Sequence, residues 1–136
     1  MITCKLLLCA QGVVRDTDSN MISIFNILEN LQAAGFPFFM QQMDVFALFE
    51  RLPEDPAQHD ILFRLSIGET ELLASPLAVD FQDKLRNRST LHIRGLVVPQ
   101  PGALRVTPQV GDRVLGTYDV KVEQMAAPRV EAQQAL

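Results

Sequence analysis

Thr90-Leu91-His92-Ile93-Arg94, Pro99-Gln100-Pro101-Gly102, Leu104 to Val110, Gly111-Asp112 and Tyr118-Asp119-Val120-Lys121-Val122-Glu123 make up the stretch whose reading decides the fold. Leu91 and Ile93 alternate with His92 and Arg94, the period of a strand with one buried and one wet face. Pro101-Gly102 supplies the fixed φ and the freely positive φ of a type II turn, so the chain is expected to reverse there. Leu104, Val106 and Val110 then alternate with Arg105, Thr107 and Gln109, and Gly111-Asp112 offers a primed hairpin turn. Tyr118, Val120 and Val122 oppose Asp119, Lys121 and Glu123 in the cleanest alternation of the chain. Together these patterns predict a three-stranded meander. Pro108 lies inside its middle strand and cannot donate to a ladder, which predicts a bulge, a break or a change of neighbour at that point.

Upstream, Lys5 to Val14 is a mostly apolar run suited to the middle of a sheet, and Gly12 is a candidate bulge position. Asp16-Thr17-Asp18-Ser19-Asn20 is a turn. Met21 to Ile27 is β-branched and aromatic and is read as a strand, followed by an irregular crossing through Gly35-Phe36-Pro37, although Ile24, Leu28 and Leu31 are also spaced like a helix face. Gln42 to Leu52 carries apolar residues on both faces of a possible strand, and Pro53-Glu54-Asp55-Pro56 forms a rigid acidic loop. Ile61 to Ile67 is a half-buried strand. Glu71 to Ala74 returns beside it, Pro76 interrupts the run, and Leu77, Val79 and Phe81 alternate again, the sign of an edge strand that stops pairing or changes sheets at the proline. The count is about eight strands with regular turn signals, the habit of an all-β sandwich or barrel spanning residues 1–123, followed by a polar tail over 124–136.

With 136 residues, 48% apolar and 21% charged, the chain can bury a core without disulfides or metals. The net charge of −4 argues against nucleic acid or an anionic membrane as the main partner. Lys5-Leu6-Leu7-Leu8-Cys9 imitates a lipoprotein signal, but the apolar segment is too short and Leu8 is not the small residue that cleavage requires. No stretch is long enough for a membrane helix, so the expected location is the cytoplasm. Cys4 and Cys9 on one extended strand would point to opposite faces, too far apart to bond, and are expected to be buried free thiols.

Three features, the Lys5-Leu6-Leu7-Leu8-Cys9 strand, the Met21-Ile22-Ser23-Ile24-Phe25 segment leading to Phe36-Pro37, and the Pro101-Gly102 hairpin with its Gly111-Asp112 return, resemble a family of small uncharacterised bacterial proteins. The resemblance spans Met1 to Glu123 and implies an immunoglobulin-like antiparallel β-sandwich with no assigned activity. Its motifs are structural and carry no chemistry.

Chemistry is sparse. Asp16, Asp18 and Asn20 open like a calcium loop, but Met21 and Ile27 stand where glycine and glutamate belong. His59 and His92 sit in different strand contexts without a third ligand, and no nucleophile elbow, phosphate loop or zinc motif occurs. No cofactor is expected. Lys84, Arg86, Arg88 and Arg94 form a basic cluster able to hold an anion or an acidic segment, or simply a solvated turn. The run from Phe36 to Phe49, with five phenylalanines and two methionines, would leave Phe46 and Leu48 on an exposed apolar face. The leading expectation is therefore a non-catalytic protein-interaction module that self-associates or binds another protein through Phe46 and Leu48. The alternative is a small-ligand or anion-binding domain, or a cryptic enzyme, with its site in the inter-strand loops. A flat apolar patch would favour the first; a pocket gathering Lys84, Arg86, Arg88 and a histidine would favour the second.

Overall fold

Ile61, Phe63, Leu65 and Ile67 are buried on one side of their strand, while Leu62, Arg64 and Ser66 are half-exposed on the other, so the period-two pattern translates directly into burial. A computed structural model describes residues 1–126 and is all-β. Its strands are β1 (Thr3–Arg15), β2 (Ile22–Ile27), β3 (Asn30–Ala33), β4 (Phe38–Glu50), β5 (Gln58–Ile67), β6 (Thr70–Asp80), β7 (Arg86–Val98), β8 (Gly102–Val110), β9 (Arg113–Val114) and β10 (Tyr118–Gln124). Two sheets form, not a barrel: β2-β1-β4-β7, and β3-β10-β8-β5-β6 with β9 on the end of β8. Every pairing is antiparallel except that of β3 with β10. Among the described residues no helix is long and apolar enough to cross a membrane. Most of the expected tail falls on residues 127–136, outside the described residues; β10 itself runs one residue into it, to Gln124.

The core fills the space between the sheets. Met43, Val45, Ala47 and Phe49 of β4 meet Phe63 and Leu65 of β5, Leu104 and Val106 of β8, and Val120 and Val122 of β10. Phe49 and Phe63 pack edge to face with ring centroids 6.2 Å apart. Each fully buried side chain of this size contributes about 1.5–3 kcal/mol relative to exposure, so this cluster dominates stability.

Several expectations are corrected. The Thr90–Arg94 strand does not belong to a meander with the two that follow it, because β7 lies in one sheet and β8 in the other. The Pro99–Gly102 segment crosses between sheets. Its glycine still needs positive φ, at 142°, as does Gly111 at 55°. Pro108 is where β8 changes neighbour: Gly102 to Val106 pair with β10, Gln109 and Val110 with β9, and the Pro108 carbonyl accepts the Leu115 N–H. The missing proline N–H thus falls in the gap between two partners. The crossing after β2 contains β3, which docks parallel to β10 and adds the unexpected strand there. Pro76 does not interrupt β6, an edge strand whose ladder with β5 continues through the Leu62 and Pro76 pair. Cys4 and Cys9 share a face after all. A register shift between Cys4 and Leu6 reverses the alternation, so Cys4 opposes Phe49 and Cys9 opposes Val45, both core residues. Both thiols are free; Cys9 is buried and Cys4 half-buried.

Candidate functional site

A second, smaller cluster lies on the outer face of the β2-β1-β4-β7 sheet, where Leu8, Ala10, Val13 and Phe46 are buried with Ile22, Ile24 and Leu48 packed against them. Leu8, Ala10 and Val13 can share one cluster only if the alternation of β1 breaks between Ala10 and Val13. The ladder from β1 to β4 does end at the Ala10 and Asp44 pair. Past that point β1 stays in register with β2, Gly12 opposite Phe25, so no residue is inserted there. The β1–β2 hairpin therefore leaves the plane of the sheet and covers its outer face. Phe46 retains only 5% of its exposure and Leu48 is half-buried. The open apolar patch expected at Phe46 and Leu48 does not exist, because the hairpin of the same chain occupies it.

Asp44 fastens this arrangement. It is 1% exposed, and its Oδ2 accepts the Val13 N–H at 2.8 Å, taking over where the backbone ladder stops. Its Oδ1 lies 2.9 Å from Nδ1 of His92, the residue opposite it on β7. One buried carboxylate thus holds both the overhanging hairpin and a histidine on the strand beneath.

Between hairpin and β7 the overhang leaves a cleft. One hollow of about 490 Å³ is bounded by Arg15, Asn20 and Ile22 from the hairpin side, by Leu48 of β4 on its floor, and by Asp80, Phe81, Gln82, Lys84, Arg86, Asn87 and Arg88 from the end of β6 through the connection into β7. A second, of about 290 Å³, is lined by Val13, Arg15, Ile22, Arg88, Thr90 and His92. Arg15, Ile22 and Arg88 line both, so the two hollows are neighbours. Arg88, Thr90 and His92 are two residues apart on β7 and so project from the same face.

The connection that carries Lys84 is held by Arg51. Its Nε donates to the Lys84 carbonyl at 2.9 Å, its Nη1 to the Asp55 carbonyl at 2.9 Å and its Nη2 to the Gln82 carbonyl at 3.3 Å, while the guanidinium stands 5.7 Å from the centre of the Phe81 ring. Gln82 adopts a φ of 57°, and its N–H is accepted by Asp80 Oδ1. Arg86 is committed to Glu50 at 3.1 Å. Among the described residues Arg15, Lys84 and Arg88 have no carboxylate within ion-pair distance. Against these three uncommitted cations the same lining carries one carboxylate, Asp80, whose Oδ1 already accepts the Gln82 N–H, so the concavity keeps a positive balance that favours an anion.

The sequence named Lys84, Arg86 and Arg88, which the fold brings together, and Arg94, which it does not: Arg94 is six residues beyond Arg88, about 20 Å along an extended strand. Arg15 and Asp44 were missed as site residues; a histidine beside the cluster was anticipated, but nothing in the sequence chose His92 over His59. His59 lies elsewhere, its Nε2 2.7 Å from the Pro56 carbonyl and its ring packed on Phe81. Asp55 of the acidic loop holds the N-terminal ammonium, and Glu71 of β6 pairs with Arg64 of β5. Another hollow of about 490 Å³, beside Leu28, Phe38 and Met40, is lined without any ionisable side chain. Among the described residues no group of three or more His, Cys, Asp or Glu is placed to hold a metal ion.

Fold and cleft together define a two-sheet all-β domain with a basic hollow under an overhanging hairpin. The chain belongs to a family of unknown function, DUF6941, whose model matches residues 5–123, from the third residue of β1 to the last but one of β10. No curated protein matches the chain.

Proposed function

We propose that the domain is a non-catalytic binding module whose cleft takes a small anionic ligand between Arg15 on the hairpin and Arg88 on β7, with Lys84 at its end. The observation that carries this reading is the convergence of Arg15, Lys84 and Arg88, three cations without ion-pair partners, on the larger hollow, set against the closure of the Phe46 patch. The volumes suit a small molecule. The net charge of −4 makes a long polyanion a poor partner, since the basic surface is local. Free Cys4 and Cys9 support a reducing compartment such as the cytoplasm.

The strand neighbours support an immunoglobulin-like sandwich: β1, β4 and β7 pair in the order of strands A, B and E, and β10, β8, β5 and β6 in the order G, F, C and C′.

Calorimetric titration with phenyl phosphate in low salt tests the anion site. Arg88→Glu is expected to weaken binding at least tenfold and Arg94→Glu to leave it within twofold. Equal losses in the two variants would mean that general surface charge, not the cleft, attracts the ligand.

A second reading, self-association, rests on β2. It is an edge strand without charge or proline, and Phe25 and Ile27 are 54% and 53% exposed beside Val14 at 55%. Such an edge is a template for pairing with a second copy of the chain.

A further inference from the structure

We infer that β4 takes an extended, uncharged segment of another protein as an added strand, in the seat that β1 leaves beside it. This surface is separate from the basic cleft and does not depend on the anion-binding reading. β4 pairs with β7 from Phe38 to Glu50, whereas β1 reaches it only from Asp44 onward, because β1 departs after Ala10 to form the overhanging hairpin. Phe38 to Met43 are therefore paired on one side only. Among the described residues no other strand and no loop backbone bonds these six residues from the vacated side. In an antiparallel ladder alternate residues turn their N–H and C=O to opposite sides, so about three of the six present both groups to a neighbour position without a strand.

The seat has walls. The hollow of about 490 Å³ beside β4 is lined by Phe38 to Gln42, five consecutive residues, with Gln11, Leu28 and Leu31 facing them. Consecutive residues point to opposite faces of a strand, so a hollow that touches all five lies along the backbone edge and not over one face. Its far wall is fixed: the Leu28 N–H donates to the Cys9 carbonyl at 2.8 Å, the Tyr118 hydroxyl to the Leu28 carbonyl at 2.7 Å, and Asn26 Nδ2 to Gln11 Oε1 at 2.7 Å. A lone strand needs about 4.8 Å beside β4, whereas the edge of a second sheet would drive its own neighbours into Leu28 and Gln11. The lining also sets the chemistry of the occupant. None of its side chains is ionisable, so a charged residue brought there would lose water and find no partner. Leu28, Leu31 and Met40 belong to the core, while Phe39 is 58% exposed on the outer face with its ring beside Gly95. Met40 and Met43 are both buried, so the alternation slips at Gln41-Gln42 and the added ladder is short. The fitting segment is about five residues long, with small or β-branched apolar side chains facing the core and uncharged polar ones facing out; its main chain supplies the affinity and the apolar wall the specificity.

The test is amide hydrogen exchange of the full chain, followed by NMR with and without the end-capped peptide Thr-Val-Thr-Val-Thr-Val at about 1 mM. Without peptide, the amides of Phe38 to Met43 that face the seat are expected to exchange quickly in dilute protein. The peptide should slow them at least tenfold and leave β2 unchanged, and the same peptide N-methylated throughout, which keeps every side chain and loses every donor, should have no such effect. Protection of β2 in place of β4, equal protection by the methylated peptide, or no protection at all would overturn the inference. Seat amides already slow without peptide would overturn it too, by giving the seat another occupant: this chain itself if the protection is independent of concentration, a second copy if it grows with concentration.

Discussion

Asp44 shows how much can rest on one side chain. A carboxylate inside the apolar run Met43 to Phe49 reads, residue by residue, as the wet edge of a strand; its burial follows from the β1–β2 hairpin folding over it, which no local pattern announces. Asp44→Ala would strip the Val13 N–H of its partner inside a closed cluster, at a cost of about 1–3 kcal/mol. Amide exchange should accelerate first at Val13 and along β2, and uniform exchange across both sheets would show that Asp44 does not anchor the hairpin. His92 was equally opaque, because its partner is 48 residues away and only the β4–β7 register brings them together. The cysteines illustrate the opposite case, in which composition was informative and geometry was not. Free thiols were expected, but the shift between Cys4 and Leu6 that turns both inward has no sequence signature. Burial pushes the Cys9 thiol up from 9.0 to about 12, and burial, together with the nearby Cys9 and Glu29, raises Tyr118 above its usual 10.0. A thiol whose folded pKa exceeds its unfolded one contributes its stability in full below about pH 9 and loses it as pH rises towards 12. Denaturation midpoints should therefore fall from about pH 9 upward, and the slope should lessen in Cys9→Ala.

At the scale of elements, the strands themselves were legible wherever alternation and turn chemistry agreed. Ile61 to Ile67 and Tyr118 to Glu123 occupy β5 and β10 with the expected faces inward. Sheet membership was not legible. Pro101-Gly102 reads the same whether the chain turns back within a sheet or crosses to the facing one, since both need the positive φ of Gly102. The same ambiguity hid β3, four residues whose only support is parallel pairing with a strand some ninety residues later. It also misplaced Phe46. An outward apolar residue on a strand predicts an interface unless another element of the same chain covers it, and β1 carries its cover past the end of its own ladder. Phe46→Ala should then behave as a core truncation, destabilising by about 3–5 kcal/mol in denaturant titration. A loss below about 1 kcal/mol would mean that the hairpin does not seal the ring.

For the whole molecule, the open question is which of its sheet edges stays closed. β6 carries Pro76 with Glu71 and Asp80, β7 carries Arg86, Arg88 and Arg94, and β3 is only four residues long; each has a recognised safeguard against pairing with another chain. β2 carries neither charge nor proline: in Ile22-Ser23-Ile24-Phe25-Asn26-Ile27 the exposed residues are Ser23, Phe25, Asn26 and Ile27, two of them large and apolar. Two copies meeting edge to edge about a two-fold axis would pair β2 with β2 antiparallel, join the two overhanging β1–β2 hairpins into one four-stranded ribbon, and bring Phe25 and Ile27 of both copies together. The positive φ of Asn26, at 53°, confines regular pairing to one side of that residue, so the contact would be short and its affinity modest. Light scattering during size exclusion should accordingly show a mass that rises from about 15 kDa towards twice that as concentration increases through the micromolar range. Phe25→Lys and Ile27→Lys should each hold the protein at the monomer mass without lowering its melting temperature, since both side chains are exposed. A monomer at every concentration in the natural sequence would remove β2 as an assembly edge. The cleft would be unaffected by that outcome, because Phe25 and Ile27 lie outside both of its hollows.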